Sequence, residues 1–192
     1  MEFTLTLPHW FSEELGRHPV FLPTREERMR MIIRFAELNF ENDTGGPFAA
    51  GVFERETGKR IAIGVNRVVP SNCSAAHAEI MALSLAQRRL ATFDLGGPGM
   101  APHELVVNWR PCAMCYGAVL WSGVRSLVIA GSDDELEKLT GFDEGPIHPN
   151  WQAELRKRSV DLYDQVLREE ALQVFQAFAD SGALVYGGRR GD

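Results

Sequence analysis

Cysteine is scarce in this 192-residue chain, with three in all, an odd number and too few to staple a secreted scaffold. Long apolar runs are missing too: no stretch approaches the roughly 18 residues that a membrane-crossing helix needs. Residues 1–10 do not join a basic stretch to an apolar one, as a secretory leader would. The expected setting is therefore the cytoplasm, without membrane contact. A basic surplus is lacking as well. The 20 Lys and Arg stand against 26 Asp and Glu, and a formal charge of -6 disfavours a long nucleic acid as partner. Internal repeats and low-complexity tracts are absent, so a chain with 45% apolar residues reads as an ordinary globular protein with a core of its own.

Punctuation and periodicity divide what is there. Residues 1–23, interrupted by Pro8, Pro19 and Pro23, are expected to form an irregular arm. Thr24-Arg25-Glu26-Glu27 has the spacing of a capping box. Met29, Ile32, Ile33, Ala36 and Phe40 follow at helical intervals, which predicts a helix ended by Gly45-Gly46-Pro47. Residues 48–54 and 60–65 read as a hairpin around Thr57-Gly58. Residues 75–90, free of Gly and Pro, predict a helix with His77 and Glu79 in its first turn. A loop at 95–102 leads to a strand at 104–109 and a helix at 113–121, entered through Pro111 at its first position. A strand at 127–130, an acidic helix at 133–139 and a last helix at about 164–179 complete the pattern. That last helix carries Val166, Leu167, Leu172, Phe175 and Phe178 on one stripe. The order predicts an α/β fold, a mixed sheet covered by helices. The core domain is expected over 24–160, with a C-terminal helix and tail over 161–192.

Two short motifs carry the chemistry. His77-Ala78-Glu79 and Pro111-Cys112-Ala113-Met114-Cys115 each open a predicted helix. Either alone is weak, since a single histidine is commonly packed and a lone Cys-x-x-Cys arises by chance or for redox use. Together they supply one imidazole and two thiolates. That is the three-ligand set of a catalytic zinc, which leaves one position open for water, whereas a structural site closes with four. The unpaired N–H groups at a helix start favour the thiolate form. Glu79 then stands where a proton shuttle is needed, and the combination is the zinc-deaminase signature in which the glutamate is not a ligand. Cys73 and Met114 read as a small buried thiol and a core filler.

These residues resemble the cytidine deaminase superfamily, and within it the small bacterial guanine deaminases. The likeness spans about residues 24–186 and extends through Gly46-Pro47-Phe48-Ala49-Ala50, Gly64-Val65-Asn66, Gly117-Ala118-Val119-Leu120-Trp121-Ser122-Gly123 and Gly141-Phe142-Asp143-Glu144. It implies a three-layer α-β-α sandwich on a sheet of about five strands. It also implies one zinc per chain and a homodimer in which the C-terminal segment can cross to close the partner's site. By the same resemblance Glu144 is the second carboxylate, Asn66 bonds the purine edge, Phe48 stacks on the ring and Ala78 contacts substrate. Related deaminases carry Glu before Pro-Cys, whereas Trp109-Arg110 stands here. Trp109 is thus a candidate pocket residue or the end of a buried strand, and Tyr186 a substrate cap or a packing residue. The activity so implied is hydrolytic removal of an exocyclic amine from guanine or a related aminotriazine, with Glu79 moving protons. Deamination of cytosine, or of adenosine in transfer RNA, is the rival activity, although the only basic feature of the tail is Arg189-Arg190. A zinc-stabilised binding module with Cys73 as fourth ligand is the non-enzymatic alternative.

Overall fold

The computed structural model describes residues 4–187, so Arg189-Arg190 lies outside the described residues. Helices α1 (Phe11–Arg17) and α2 (Arg25–Glu41) precede a hairpin of β1 (Ala49–Glu54) and β2 (Arg60–Val65). A short α3 (Val68–Ser71) leads into α4 (Ala78–Leu90), followed by β3 (His103–Val107), α5 (Ala113–Ser122) and β4 (Ser126–Ile129). Then come α6 (Glu135–Thr140), α7 (Trp151–Lys157), β5 (Asp161–Tyr163) and α8 (Arg168–Ser181). The five strands form one mixed sheet in the order β2-β1-β3-β4-β5. β1 runs antiparallel to β2 and β3, while β3, β4 and β5 are mutually parallel. Among the described residues no helix is long and apolar enough to cross a membrane.

Both faces of the sheet are buried, which is why its strands read as nearly continuous apolar runs. The two-residue period sorts Ala49 and Phe53 of β1 onto one face with Val106 and Val128, under α1, α2, α6 and α8. It sorts Ala50 and Val52 onto the other with Leu105, Val107, Leu127 and Ile129, under α4, α5 and α7. This is the predicted sandwich. Gly64 fixes how closely α4 approaches, because a Cβ there would lie 2.4 Å from the Ala82 amide nitrogen and 2.5 Å from the Ala78 carbonyl oxygen. The start of α4 therefore rests directly on β2, and His77 and Glu79 inherit their position from that contact.

Three readings change. The arm is not irregular: its prolines flank a helix rather than interrupt one, and α1 buries Phe11 against Phe35 of α2. Arg28 also holds the arm, donating to the carbonyls of Leu22 at 2.7 Å and Pro23 at 3.0 Å. The last helix starts at Arg168 rather than 164, because Gln165 and Leu167 take positive φ values of 65° and 55° and break the pattern. Pro111 lies one residue before the N-cap of α5 instead of at its first position, and Cys112 is the cap.

Candidate metal centre and active site

Two helix starts converge. His77 is the N-cap of α4, with φ of -68° and ψ of 156°. Cys112 is the N-cap of α5, with φ of -63° and ψ of 171°, and Cys115 stands three residues further on. Neither cap side chain makes a capping hydrogen bond, and α4, packed across β2 and β1, meets α5, which follows the neighbouring β3, on the same face of the sheet. Among the described residues, His77, Cys112 and Cys115 form the group of metal-binding side chains, their ligand atoms all within 4.8 Å of one another. Cys112 Sγ lies 3.6 Å from His77 Nδ1. A tetrahedral zinc with bonds of about 2.3 Å to sulfur and 2.05 Å to nitrogen sets those atoms about 3.6 Å apart, so the spacing fits the ion.

The electrostatics fit it as well. The Cys112 thiol is drawn down to about 4, chiefly by the hydrogen bond from Cys115 and then by His77, against the effect of burial. Cys115 goes the other way, far up, because it gives its proton to Cys112 and is buried beside Glu79. Burial lowers the His77 imidazole, but its bond to Cys112 and the charge of Glu79 outweigh that and raise it. Burial pushes the Glu79 carboxyl up, and Cys112 adds to the push. Glu144 rises to about 8 for the same two reasons, with Glu79 as a third. Four acidic groups thus crowd one imidazole, and only one sulfur ionises readily. A divalent ion removes that conflict by letting both thiolates form together.

The cluster opens into a cavity of about 560 Å³. His77, Glu79, Glu144, Asn66, Phe48, Trp109 and Tyr186 all line it. Asn66 is 1% exposed, accepts from the Val68 amide through Oδ1 at 3.3 Å and donates from Nδ2 to Tyr186 Oη. The half-buried Phe48 ring packs edge-on against Phe142 at 5.1 Å, and Phe142 packs against Tyr186 at the same distance. Trp109 is 1% exposed; its Nε1 donates to the Asp133 carbonyl at 3.3 Å and its ring packs on Phe175, so it does not end the strand, which stops at Val107, but forms pocket wall from the bend that follows. Glu144 is anchored through its backbone, whose carbonyl accepts from the Ala113 amide at 3.1 Å. Ala78 is the exception: its methyl group is fully buried in the core beneath α4 rather than on the cavity wall.

Residues 23–131 match the cytidine and deoxycytidylate deaminase zinc-binding region. The chain belongs to this family. It is a zinc-dependent hydrolytic deaminase. The solved guanine deaminase of Nitrosomonas europaea is 45% identical, the match covering 93% of this chain and 97% of that one at a TM-score of 0.88. Guanine deaminase of Bacillus subtilis is 32% identical over 134 residues, 70% of this chain and 80% of the relative. The tRNA-specific adenosine deaminase of Buchnera aphidicola is 29% identical over 150 residues, 78% of this chain and 90% of the relative.

Several features of the deaminase depart from what its sequence suggests. Met114 is no core filler: helix α5 turns it outward, and it is 41% exposed. Cys73 is half-buried on the cavity wall and is not a member of the ligand cluster, which leaves a four-ligand structural site without its fourth sulfur. Three pocket-shaping residues escape sequence reasoning. Asn108, fully buried, accepts from the Ala49 amide at 3.1 Å and donates to the Pro47 carbonyl at 2.9 Å, fixing the turn that carries Phe48. Asn39 of α2 braces that turn by donating to the Gly46 carbonyl at 2.8 Å, and Thr44, beyond the end of α2, donates to Asn39 Oδ1 at 3.0 Å. The one available signal was polarity at a position where the stripe of α2 should be apolar.

Proposed function

We propose that this deaminase hydrolyses the exocyclic amine of guanine to ammonia, leaving an oxo group on the ring. The observation that carries the reading is the juxtaposition of a three-ligand metal cluster with two carboxylates, the buried Glu79 and the half-buried Glu144, on one cavity. The likeness to guanine deaminases supports guanine as the base.

His77, Cys112 and Cys115 would hold a zinc ion, which when bound would supply a Lewis acid able to lower the pKa of water toward 7. Glu79 takes a proton from the attacking water molecule and delivers it to the ring nitrogen beside the amine-bearing carbon, then moves the second water proton onto the departing amine. The water oxygen ends on the carbon and the C–N bond breaks, so one water and one amine become one carbonyl and one ammonia. Glu144, holding its proton near neutrality, bonds the substrate amine or ring nitrogen and relays a proton to it. Because Asn66 Oδ1 is committed to Val68, the amide presents Nδ2 as a donor to an acceptor on the purine edge, where Tyr186 Oη now sits. Phe48 stacks on the flat face, Trp109 and Tyr186 close the wall, and Ala78 acts through its backbone amide, one of the helix-start N–H groups without an intrahelical acceptor.

The same reading places the protein in the cytoplasm, where reducing conditions keep its three free cysteines as thiols. It also makes the protein a homodimer. Met114, Gly117, Ala118 and Trp121 fall at helical spacing on the outer face of α5, and Trp121 is 88% exposed, an apolar stripe that a second copy would cover. In this dimer the C-terminal segment that carries Tyr186, which lines the cavity, is the part of the chain that would cross to close the partner's site. The acidic balance of -6 disfavours a polynucleotide substrate.

Ammonia release by zinc-loaded protein on guanine, an aminotriazine, cytosine, and adenosine free and in transfer RNA tests this directly. Guanine should be the fastest. Turnover confined to transfer RNA, or to cytosine, would overturn the assignment.

A further inference from the structure

A chain of hydrogen bonds runs from the N-terminal arm to Asn66. The Trp10 indole Nε1, at the start of α1, donates to Thr44 Oγ1 at 2.9 Å, across 34 residues of sequence. Thr44 Oγ1 has one proton of its own, and two oxygens of Asn39 lie within 3.0 Å of it. The carbonyls of Gly46 and Asn66 can only accept and so face the Asn39 Nδ2, which leaves Oδ1 as the side-chain acceptor turned to the Thr44 hydroxyl. That fixes which way the fully buried Asn39 amide faces. Its Nδ2 then donates to two backbone carbonyls, Gly46 at 2.8 Å and Asn66 at 2.9 Å.

Nothing in this chain touches the metal ligands, and it is tightly enclosed. A Cβ on Gly45, whose φ is 152°, would lie 2.1 Å from the Asn66 carbonyl oxygen and 2.6 Å from Asn39 Nδ2. The next residue repeats the link by a second route: Arg67 donates from Nε to the Thr6 carbonyl at 3.0 Å and from Nη1 to the Thr44 carbonyl. The arm thus reaches the Asn66-Arg67 corner twice.

We infer that the N-terminal arm, acting through Trp10, Thr44 and Asn39, is a positioning device for Asn66 and so a determinant of how well the purine edge is bound. The role of Asn66 rests on the proposed function; the coupling of arm to Asn66 does not. Networks in which each polar group is satisfied rigidify what they hold, and loosening them displaces the group at the far end. The path from Trp10 through Thr44 and Asn39 ends at the Asn66 carbonyl; the metal ligands lie beyond it, His77 following Ala76, whose carbonyl accepts from the Arg67 amide at 2.8 Å.

Thr44→Val removes the hydroxyl while keeping the shape, Trp10→Phe removes the indole N–H, and Thr44→Ser restores the hydroxyl. Each full-length, zinc-loaded variant is measured for KM and kcat on guanine, for zinc content, and for the NMR resonance of the Asn66 side-chain amide. Thr44→Val and Trp10→Phe should raise KM about fivefold, the cost of one neutral hydrogen bond passed on to binding, with kcat within about twofold and zinc unchanged. Both should shift the Asn66 resonance, and Thr44→Ser should return it. An unmoved resonance in either variant overturns the coupling, and so does a fall in kcat matched by loss of zinc. If unsubstituted protein fails to turn over guanine, the proposed substrate falls, and the resonance alone still decides whether the arm holds Asn66.

Discussion

At the residue scale the site is a problem in proton placement. Glu79 sits buried between a sulfur that ionises and a cavity open to substrate, and burial keeps its affinity for protons high enough to accept and return one. Glu79→Gln preserves shape and removes the shuttle, so kcat should fall by at least about a hundredfold while zinc content stays at one per chain. Glu144 offers a test by pH. Its folded-state value is raised from an ordinary 4.5 to about 8, so the folded state holds a proton that the unfolded chain has lost between those values. In metal-free protein prepared with a chelator, Glu144 therefore lowers stability progressively as pH rises from about 4.5 to about 8 and adds no further change above it. Denaturation of Glu144→Gln across that range should show the decline reduced relative to the unsubstituted chain; parallel curves would contradict the burial of the carboxyl.

At the element scale, two helix starts do the positioning, and Gly64 sets the distance of one of them from the sheet. Gly64→Ala should cost roughly 1–3 kcal/mol by overpacking β2 against α4, read from the denaturant midpoint, and should weaken zinc retention because His77 moves with the helix. The elements that were legible from sequence are those whose own residues specify them. Thr24 and Glu27 close a capping box, with the Thr24 amide 2.9 Å from the Glu27 carboxylate, and the hairpin turns at Gly58, whose φ is 70°. Strand β5 was supplied by resemblance rather than by pattern, because three residues at a sheet edge leave no periodicity to read. Helix α1 was obscured because its prolines suggest a loop, while its stability comes from burying Phe11 and Trp10 on Phe35, contacts made with a helix distant in sequence. The site divides the same way. His77, Glu79, Cys112 and Cys115 were visible by spacing, whereas Asn108 and Asn39 act through backbone groups that only the fold brings near.

At the scale of the whole molecule, a mixed sheet with helices on both sides holds the metal-binding cluster where α4 and α5 begin, and the C-terminal segment lines the adjoining cavity through Leu184, Tyr186 and Gly187. Trp121 on the outer face of α5 is 88% exposed, and if a second copy covers it, as proposed, unsubstituted protein should sediment as a dimer and Trp121→Glu as a monomer without loss of zinc; a monomeric unsubstituted protein, or an unchanged sedimentation coefficient in the variant, would overturn that proposed contact. The most direct test of the account is X-ray absorption at the zinc edge on protein purified without added metal and then loaded with one equivalent. The account predicts two sulfurs at about 2.3 Å, with one nitrogen and one oxygen at about 2.0 Å. A shell without the oxygen, closed by a fourth protein ligand, or protein that fails to retain a single zinc, would contradict it.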